Sequence, residues 1–70
     1  MLRVTPKQIR VTRDRLGMSQ SQFAEAFHLN VRTLQAWEIG NGRPTGPAAV
    51  LMWLICHAPE TVLKLLKGAG

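Results

Sequence analysis

The stretch SQSQFAEAFHLNVRTLQAWEIG, from Ser19 to Gly40, contains two signals for the start of a helix. Ser19 is followed three residues later by Gln22, the spacing of a capping box, in which each side chain accepts a hydrogen bond from the other residue's backbone amide. Asn30 is a second residue of the type that caps helices. Apolar residues between and after these signals recur with a helical period. The stretch therefore predicts two short helices joined by a short turn.

Similar signals occur on both sides of this stretch. Thr5 and Gln8 form another capping box, with Pro6 at the first helical position. Thr45 is the expected cap of a fourth helix, and Pro59 begins a fifth. Since Tyr is absent and β-branched residues do not alternate, we expect an all-α fold. The predicted helices cover about residues 6–16, 20–27, 31–39, 46–57 and 60–67, in one domain spanning residues 1–70.

The 3.6-residue period assigns an inward apolar face to each predicted helix. Gly17 is expected to end the first helix in the left-handed conformation. On the first helix, Thr12 and Arg13 lie beside the inward face. The predicted core consists of Ile9, Leu16, Phe23, Ala24, Phe27, Leu34, Trp37, Leu51, Leu54, Ile55, Val62, Leu63 and Leu66.

The charge of the chain points to an anionic partner. Its 70 residues include nine Lys or Arg and four Asp or Glu, which gives a net charge of +5 and a pI near 10.8. A basic domain of this size most often binds DNA, RNA or an acidic protein, although a merely soluble surface is the alternative. Five of the basic residues lie within the first fifteen positions: Arg3, Lys7, Arg10, Arg13 and Arg15.

The sequence lacks the patterns of catalytic and metal-binding proteins. Cys56 is the only cysteine, which precludes an internal disulfide and is typical of a reducing compartment. His57 adjoins it, but neither residue has a partner at metal-ligand spacing. The four acidic residues form no dyad, and no glycine-rich phosphate loop is present. We therefore expect no enzymatic activity, cofactor, metal or small-molecule substrate.

The apolar segments are too short for a membrane protein. The longest apolar run, Ala48–Cys56, is far below the roughly 20 residues that cross a bilayer. The N-terminus also lacks the apolar segment of a signal peptide. We expect a cytoplasmic protein without a membrane partner.

The turn between the second and third predicted helices favours DNA recognition. A connection from His28 to Asn30 is so short that the two helices must meet at a steep angle, as in a helix-turn-helix unit. In that unit the second helix enters the major groove, and its first turns contact base edges. Here the first turn carries the polar tip NVRT, residues 30–33, whose side chains have suitable donors and acceptors.

Residues Leu16–Pro44 resemble the helix-turn-helix of phage Cro and repressor-type regulators, the XRE family. The shared residues are S-Q-x-x-F-A, a short turn, T-L-x-x-W-E-x-G and a basic loop. With RPTGPAAVLMWLICHAPETV added, residues 5–67 are similar to the DNA-binding domains of HigA-type and MqsA-type antitoxins. The resemblance implies a five-helix, repressor-like bundle.

The resemblance also implies roles for individual residues. Gln20 would bind a backbone phosphate, and Arg13 with Glu38 would form a buried pair between the first and third helices. His28 stands where the family usually has Gly, so a left-handed His is expected in the turn. The implied base contacts are Val31, Arg32, Thr33, Gln35 and Ala36. The loop after the third helix would approach phosphates through Asn41, Gly42 and Arg43.

Several of these residues have alternative roles. Arg32 suits guanine and Gln35 suits adenine, but either could instead bind phosphate or water. Asn30 is expected to cap its helix first and to contact phosphate second. Arg10 lies on an outward face of the first helix, where phosphate contact and solvation are equally compatible with its position.

The fourth helix predicts self-association. It is apolar almost all round, and a helix that is apolar on two faces needs a second partner. We expect a homodimer formed through the fourth and fifth helices, with Trp53 as an anchor; the alternative is that Trp53 is a core residue of a monomer. The interface residues expected are Val50, Trp53, Val62 and Leu66.

Together these features predict a homodimeric repressor that binds a palindromic operator in double-stranded DNA, with half-sites roughly 34 Å apart. The antitoxin resemblance implies control of its own operon. An alternative is a protein-interaction module that neutralises a cognate toxin. An RNA-binding domain has weaker support, because no platform of exposed aromatics is apparent.

Overall fold

The computed structural model describes residues 2–69, which form five α-helices and no strand. The all-α prediction is confirmed, and the helix boundaries differ from those predicted by one or two residues. The helices are α1 Pro6–Arg15, α2 Gln20–Ala26, α3 Val31–Glu38, α4 Pro47–His57 and α5 Pro59–Ala69. Helix α3 packs against both α1 and α2, while α4 packs against α1 and α5.

The first three helices begin at the side-chain caps that the sequence predicts. Thr5 and Ser19 each form a complete capping box, with Gln8 and Gln22 as their partners. The Asn30 side chain accepts hydrogen bonds from two amides in the first turn of α3. Because these amides have no partner within the helix, each cap stabilises its helix by about 1 kcal/mol.

The same three helices end in one recurring arrangement. In α2, the Leu29 amide donates to the Ala24 carbonyl at 2.8 Å, and the His28 amide donates to the Glu25 carbonyl at 3.4 Å. This is a Schellman cap, which requires a left-handed residue after the helix. His28 takes that conformation with φ of 59°, as the sequence predicts. Helices α1 and α3 end in the same way.

Helix α4 does not begin at the predicted residue. Thr45 was expected to cap it, but the N-cap is Gly46, and no side chain bonds to the first turn. The reason is that Pro47 occupies the first helical position, where its missing amide needs no partner. Gly46 has φ of 57°, a conformation that glycine adopts readily.

The core lies where α1, α2, α3 and α4 meet. Its fully buried side chains are Ile9, Phe23, Phe27, Leu34, Met52 and Ile55. The prediction for α4 was partly wrong: Leu54 is 44% exposed, and Met52 is buried in the core instead. The period could not distinguish the two faces, because the α4 sequence is apolar on every side.

Helix α5 is less covered than the other four. The chain bends by 112° between α4 and α5. Val62, Leu63 and Leu66 pack against the core as predicted, but each is only half-buried. No single helix within residues 2–69 has the length and apolarity to cross a membrane. The α4–α5 pair together has that length and composition, but it is bent.

Candidate nucleic-acid interface

A buried ion pair fixes the position of α3. The Arg13 guanidinium on α1 donates from Nη2 to Glu38 Oε1 at 2.9 Å and from Nε to Oε2 at 3.0 Å. Glu38 is only 3% exposed, and the Arg13 side chain is 19% exposed. Two parallel hydrogen bonds to a carboxylate define both distance and orientation. The geometry therefore fits the Arg13–Glu38 pair that the family resemblance implies.

The same guanidinium also contacts the chain before α2. Arg13 Nη1 donates to the carbonyl of Met18 at 3.1 Å. Hydrogen bonding to Glu38 raises the pKa of Arg13, against the lowering effect of burial, so the group remains cationic. One side chain thus connects the end of α1, the approach to α2 and the last turn of α3.

A second arginine binds the end of α3. Arg10 Nη1 donates to the backbone carbonyl of Glu38, one of the oxygens that a helix leaves without an internal partner. A cation at this end also interacts favourably with the helix dipole. The sequence places Arg10 on an outward face, whereas its exposed side chain reaches back to α3. The local sequence gives no signal for this contact.

The N-terminal part of α3 presents polar side chains to solvent. The side chains of Arg32, Thr33 and Gln35 are exposed. The Asn30 cap fixes the backbone amides of Arg32 and Thr33 at 2.9 and 3.3 Å. Since the backbone is fixed while these three side chains make no hydrogen bond within residues 2–69, their donors and acceptors are free for an external partner.

Two other residues predicted to contact bases are less accessible. Val31 and Ala36 are half-buried, and Val31 packs against the hydrophobic core. Only part of each side chain therefore faces outward. At the start of α2, Gln20 is also half-buried.

The loop after α3 has two kinds of backbone amide. The amides of Gly40 and Asn41 close the end of α3, through carbonyls of Trp37 and Ala36 at 3.2 and 2.8 Å. The amides of the next two residues, Gly42 and Arg43, donate to no group within residues 2–69. An approaching phosphate could thus be bound by the Gly42 and Arg43 amides, but by Asn41 only through its exposed side chain.

The positive charge near this surface is largely uncompensated. Within residues 2–69, Arg13–Glu38 is the one ion pair between side chains. The exposed guanidinium groups of Arg32 and Arg43 therefore have no carboxylate partner in the described part of the chain. Uncompensated exposed cations attract a polyanion in a salt-dependent manner.

The groups that could suggest other chemistry lie on the α1–α4 side. Burial raises the pKa of the Cys56 thiol, partly offset by a hydrogen bond with Thr12, so the thiol is less reactive than usual. His57 stacks on Trp53 with ring centroids 4.0 Å apart, and its Nδ1 lies 2.8 Å from the Trp53 carbonyl oxygen. No group of three metal-binding side chains occurs within the described residues.

An apolar surface lies on the outward side of α4 and α5. Val50 and Leu54 are 46% and 44% exposed, and Leu65 is 68% exposed. Trp53, Val62 and Leu66 are half-buried, and all three pack against the core. The exposed residues Leu54 and Leu65 were not among those predicted for an interface. Leu65 could have been found from the weak polar cover of its helix.

Comparison with known proteins finds a family model that matches part of the chain and a relative of similar sequence. Residues 9–52, from α1 into α4, match the family model described as helix-turn-helix. Over 66 residues, which are 94% of this chain, the sequence is 38% identical to Antitoxin HigA-2 of Vibrio cholerae serotype O1. The chain spans 64% of the length of that relative.

The buried pair gives a stability prediction. Glu38→Ala is expected to lower the free energy of unfolding by about 3 kcal/mol, because the Arg13 guanidinium loses its buried partner. Urea denaturation at a fixed protein concentration measures this change. Glu25→Ala, which removes an exposed carboxylate, is the control and should change stability by less than about 0.5 kcal/mol.

The double variant Arg13→Met/Glu38→Leu, compared with Arg13→Met and Glu38→Leu, measures the coupling free energy between the two side chains. It should be less destabilised than the two single changes added together, with a coupling of about 0.5–3 kcal/mol. Equal destabilisation by Glu38→Ala and Glu25→Ala would contradict a structural role for the pair.

Proposed function

The chain belongs to the helix-turn-helix family, and from this we propose that it binds double-stranded DNA as a sequence-specific repressor. The observation that carries the proposal is the exposed first turn of α3. Its polar side chains are free, while Asn30, Arg10 and the Arg13–Glu38 pair fix the helix at both ends. A rigid helix with free polar groups is what reading base edges requires.

In this proposal α3 enters the major groove with its N-terminal end. Arg32 would donate two hydrogen bonds to a guanine, and Gln35 would pair with an adenine one turn further along. Thr33 would contact either base type. Val31 and Ala36, being half-buried, would contribute apolar contact with a thymine methyl group rather than hydrogen bonds.

Phosphate contacts would hold the helix in register without reading sequence. On one side, the Gln20 side chain would bind the backbone, with Asn30 as a secondary contact. On the other side, the Gly42 and Arg43 amides, the Arg43 guanidinium and the Asn41 side chain would do so. Arg10 has further donors beyond the one bound to the Glu38 carbonyl, and these could reach a phosphate.

We further propose that the protein acts as a homodimer on a palindromic operator. The exposed apolar side chains of α4 and α5 support this, because apolar side chains left in water favour a partner of matching character. A twofold dimer would place two recognition helices one DNA turn apart, roughly 34 Å. The interface would include Val50, Trp53, Val62 and Leu66, to which the structure adds Leu54 and Leu65 as candidates.

The biological setting we propose is that of an antitoxin-type regulator that represses its own operon in the cytoplasm. Support comes from the 38% identity to a protein named as an antitoxin. Such a regulator acts by binding rather than by catalysis. A second candidate function, neutralising a cognate toxin through protein contacts, rests on the same relative and would use a surface other than α3.

The proposal predicts a loss of discrimination in Arg32→Ala. For each recognition helix bound, this variant should lose about 1–3 kcal/mol of preference for DNA from upstream of its own gene over a scrambled duplex, roughly 5- to 150-fold in relative Kd. Fluorescence anisotropy with both duplexes measures this preference. Lys64→Ala removes an exposed charge on α5 and serves as the control, with discrimination unchanged.

Equal weakening of both duplexes by Arg32→Ala would make Arg32 a phosphate contact and contradict base reading. Absence of preference in the unmodified protein would contradict autoregulation through this DNA, and co-purification with the product of a neighbouring gene would then favour toxin neutralisation.

The dimer proposal predicts that Trp53→Glu produces monomers, because a carboxylate in an apolar interface loses its hydration without gaining a partner. Sedimentation velocity measures the change in mass. Val11→Glu, which alters an exposed apolar residue on α1, is the matched control and should leave the dimer intact. Persistence of the dimer in folded Trp53→Glu would exclude Trp53 as an interface anchor.

A further inference from the structure

The residues that precede α1 are held against the body of the protein. Val4 is buried and belongs to the hydrophobic core. Thr5 is fixed by its capping box with Gln8. Arg3 therefore adjoins two anchored residues, although its own side chain is exposed. Its backbone position is defined by the fold.

Arg3 faces the loop that follows α3. A groove of about 410 Å³ separates the two segments and has both Arg3 and Arg43 in its walls. Its lining residues are Arg3, Val4, Thr5, Pro6, Gly40, Gly42 and Arg43. A neighbouring groove of about 370 Å³, which extends toward Val50, is lined by the same two arginines. No acidic residue lines either groove.

The donors around the first groove are unused. The amides of Gly42 and Arg43 donate to no group within residues 2–69, and neither arginine has a carboxylate partner there. Two arginines that border one groove concentrate positive charge there, which an anion bound between them would neutralise. The oxygens of one phosphate can accept hydrogen bonds both from these amides and from guanidinium groups.

We propose that Arg3 contacts a DNA phosphate and that Arg3, Gly42 and Arg43 together form one phosphate-binding site. The inference rests on the proposed function, because it requires that α3 meet DNA. It extends the interface beyond the helix-turn-helix unit to a residue that precedes α1. The expected occupant is the DNA backbone, because the groove is bordered by two arginines and by no acidic residue.

The contact has a defined thermodynamic signature. Each phosphate neutralised by a cation adds about 0.9 to the slope of log Kd against log salt concentration. Phosphates are the same in every sequence, so Arg3 contributes affinity without discrimination. Loss of the contact therefore weakens specific and non-specific binding by the same factor.

The test compares Arg3→Gln with the unmodified protein on the upstream duplex and on a scrambled duplex, over a salt series. The expected result for each protomer bound is that both Kd values rise by about 8-fold at 0.1 M salt and that the salt slope falls by about 0.9, which becomes about 60-fold and about 1.8 for the proposed dimer. Lys67→Gln is the matched control, since it removes the same charge from the exposed surface of α5. Arg3→Lys, which keeps the charge, should retain the slope.

The outcomes separate this inference from the proposed function. If the unmodified protein binds the upstream duplex preferentially but Arg3→Gln behaves like Lys67→Gln, the Arg3 contact is wrong and the proposed function stands. If the unmodified protein binds neither duplex, both are wrong. Circular dichroism melting checks that Arg3→Gln is folded. If that variant melts early, Arg3→Met, which keeps the aliphatic part of the side chain without its charge, carries the same test.

Discussion

The bidentate pair between Arg13 and Glu38 is the interaction on which the remaining arrangement depends. It joins α1 to the last turn of α3, and the same guanidinium reaches the Met18 carbonyl before α2. In a chain of 70 residues the hydrophobic core alone is small, so a buried, oriented pair contributes much of the definition of the helix positions. The pair does so without occupying the exposed side of α3.

Helix α3 therefore has distinct structural and exposed parts. Its N-terminus is capped by Asn30, its interior packs through Leu34 and Trp37, and its C-terminus is bound by two arginines. What remains exposed is a short set of polar side chains with no internal partner. This division explains how a helix of eight residues can be rigid and still present free donors.

Much of this could be predicted from local chemistry. Thr5 and Ser19 mark the starts of their helices because each is followed three residues later by the Gln of a capping box, and Asn30 marks α3 because its residue type caps helices. Leu54 and Met52 could not be distinguished, because α4 has no polar side to orient it. Thr45 was one residue too early because Pro47 determines where the helix begins. The reach of Arg10 to Glu38 and the grouping of Arg3 with Arg43 depend on tertiary packing, which no local signal encodes.

The most direct test of the account is a titration of the isotope-labelled protein with DNA from immediately upstream of its own gene, followed by amide chemical shifts. The account predicts the largest changes in the N-terminal part of α3, residues 31–35, and at Gly42 and Arg43, with little change along α5. Shift changes confined to α4 and α5 would contradict the claim that α3 reads DNA. The absence of shift changes with both the upstream and the scrambled duplex would contradict it as well.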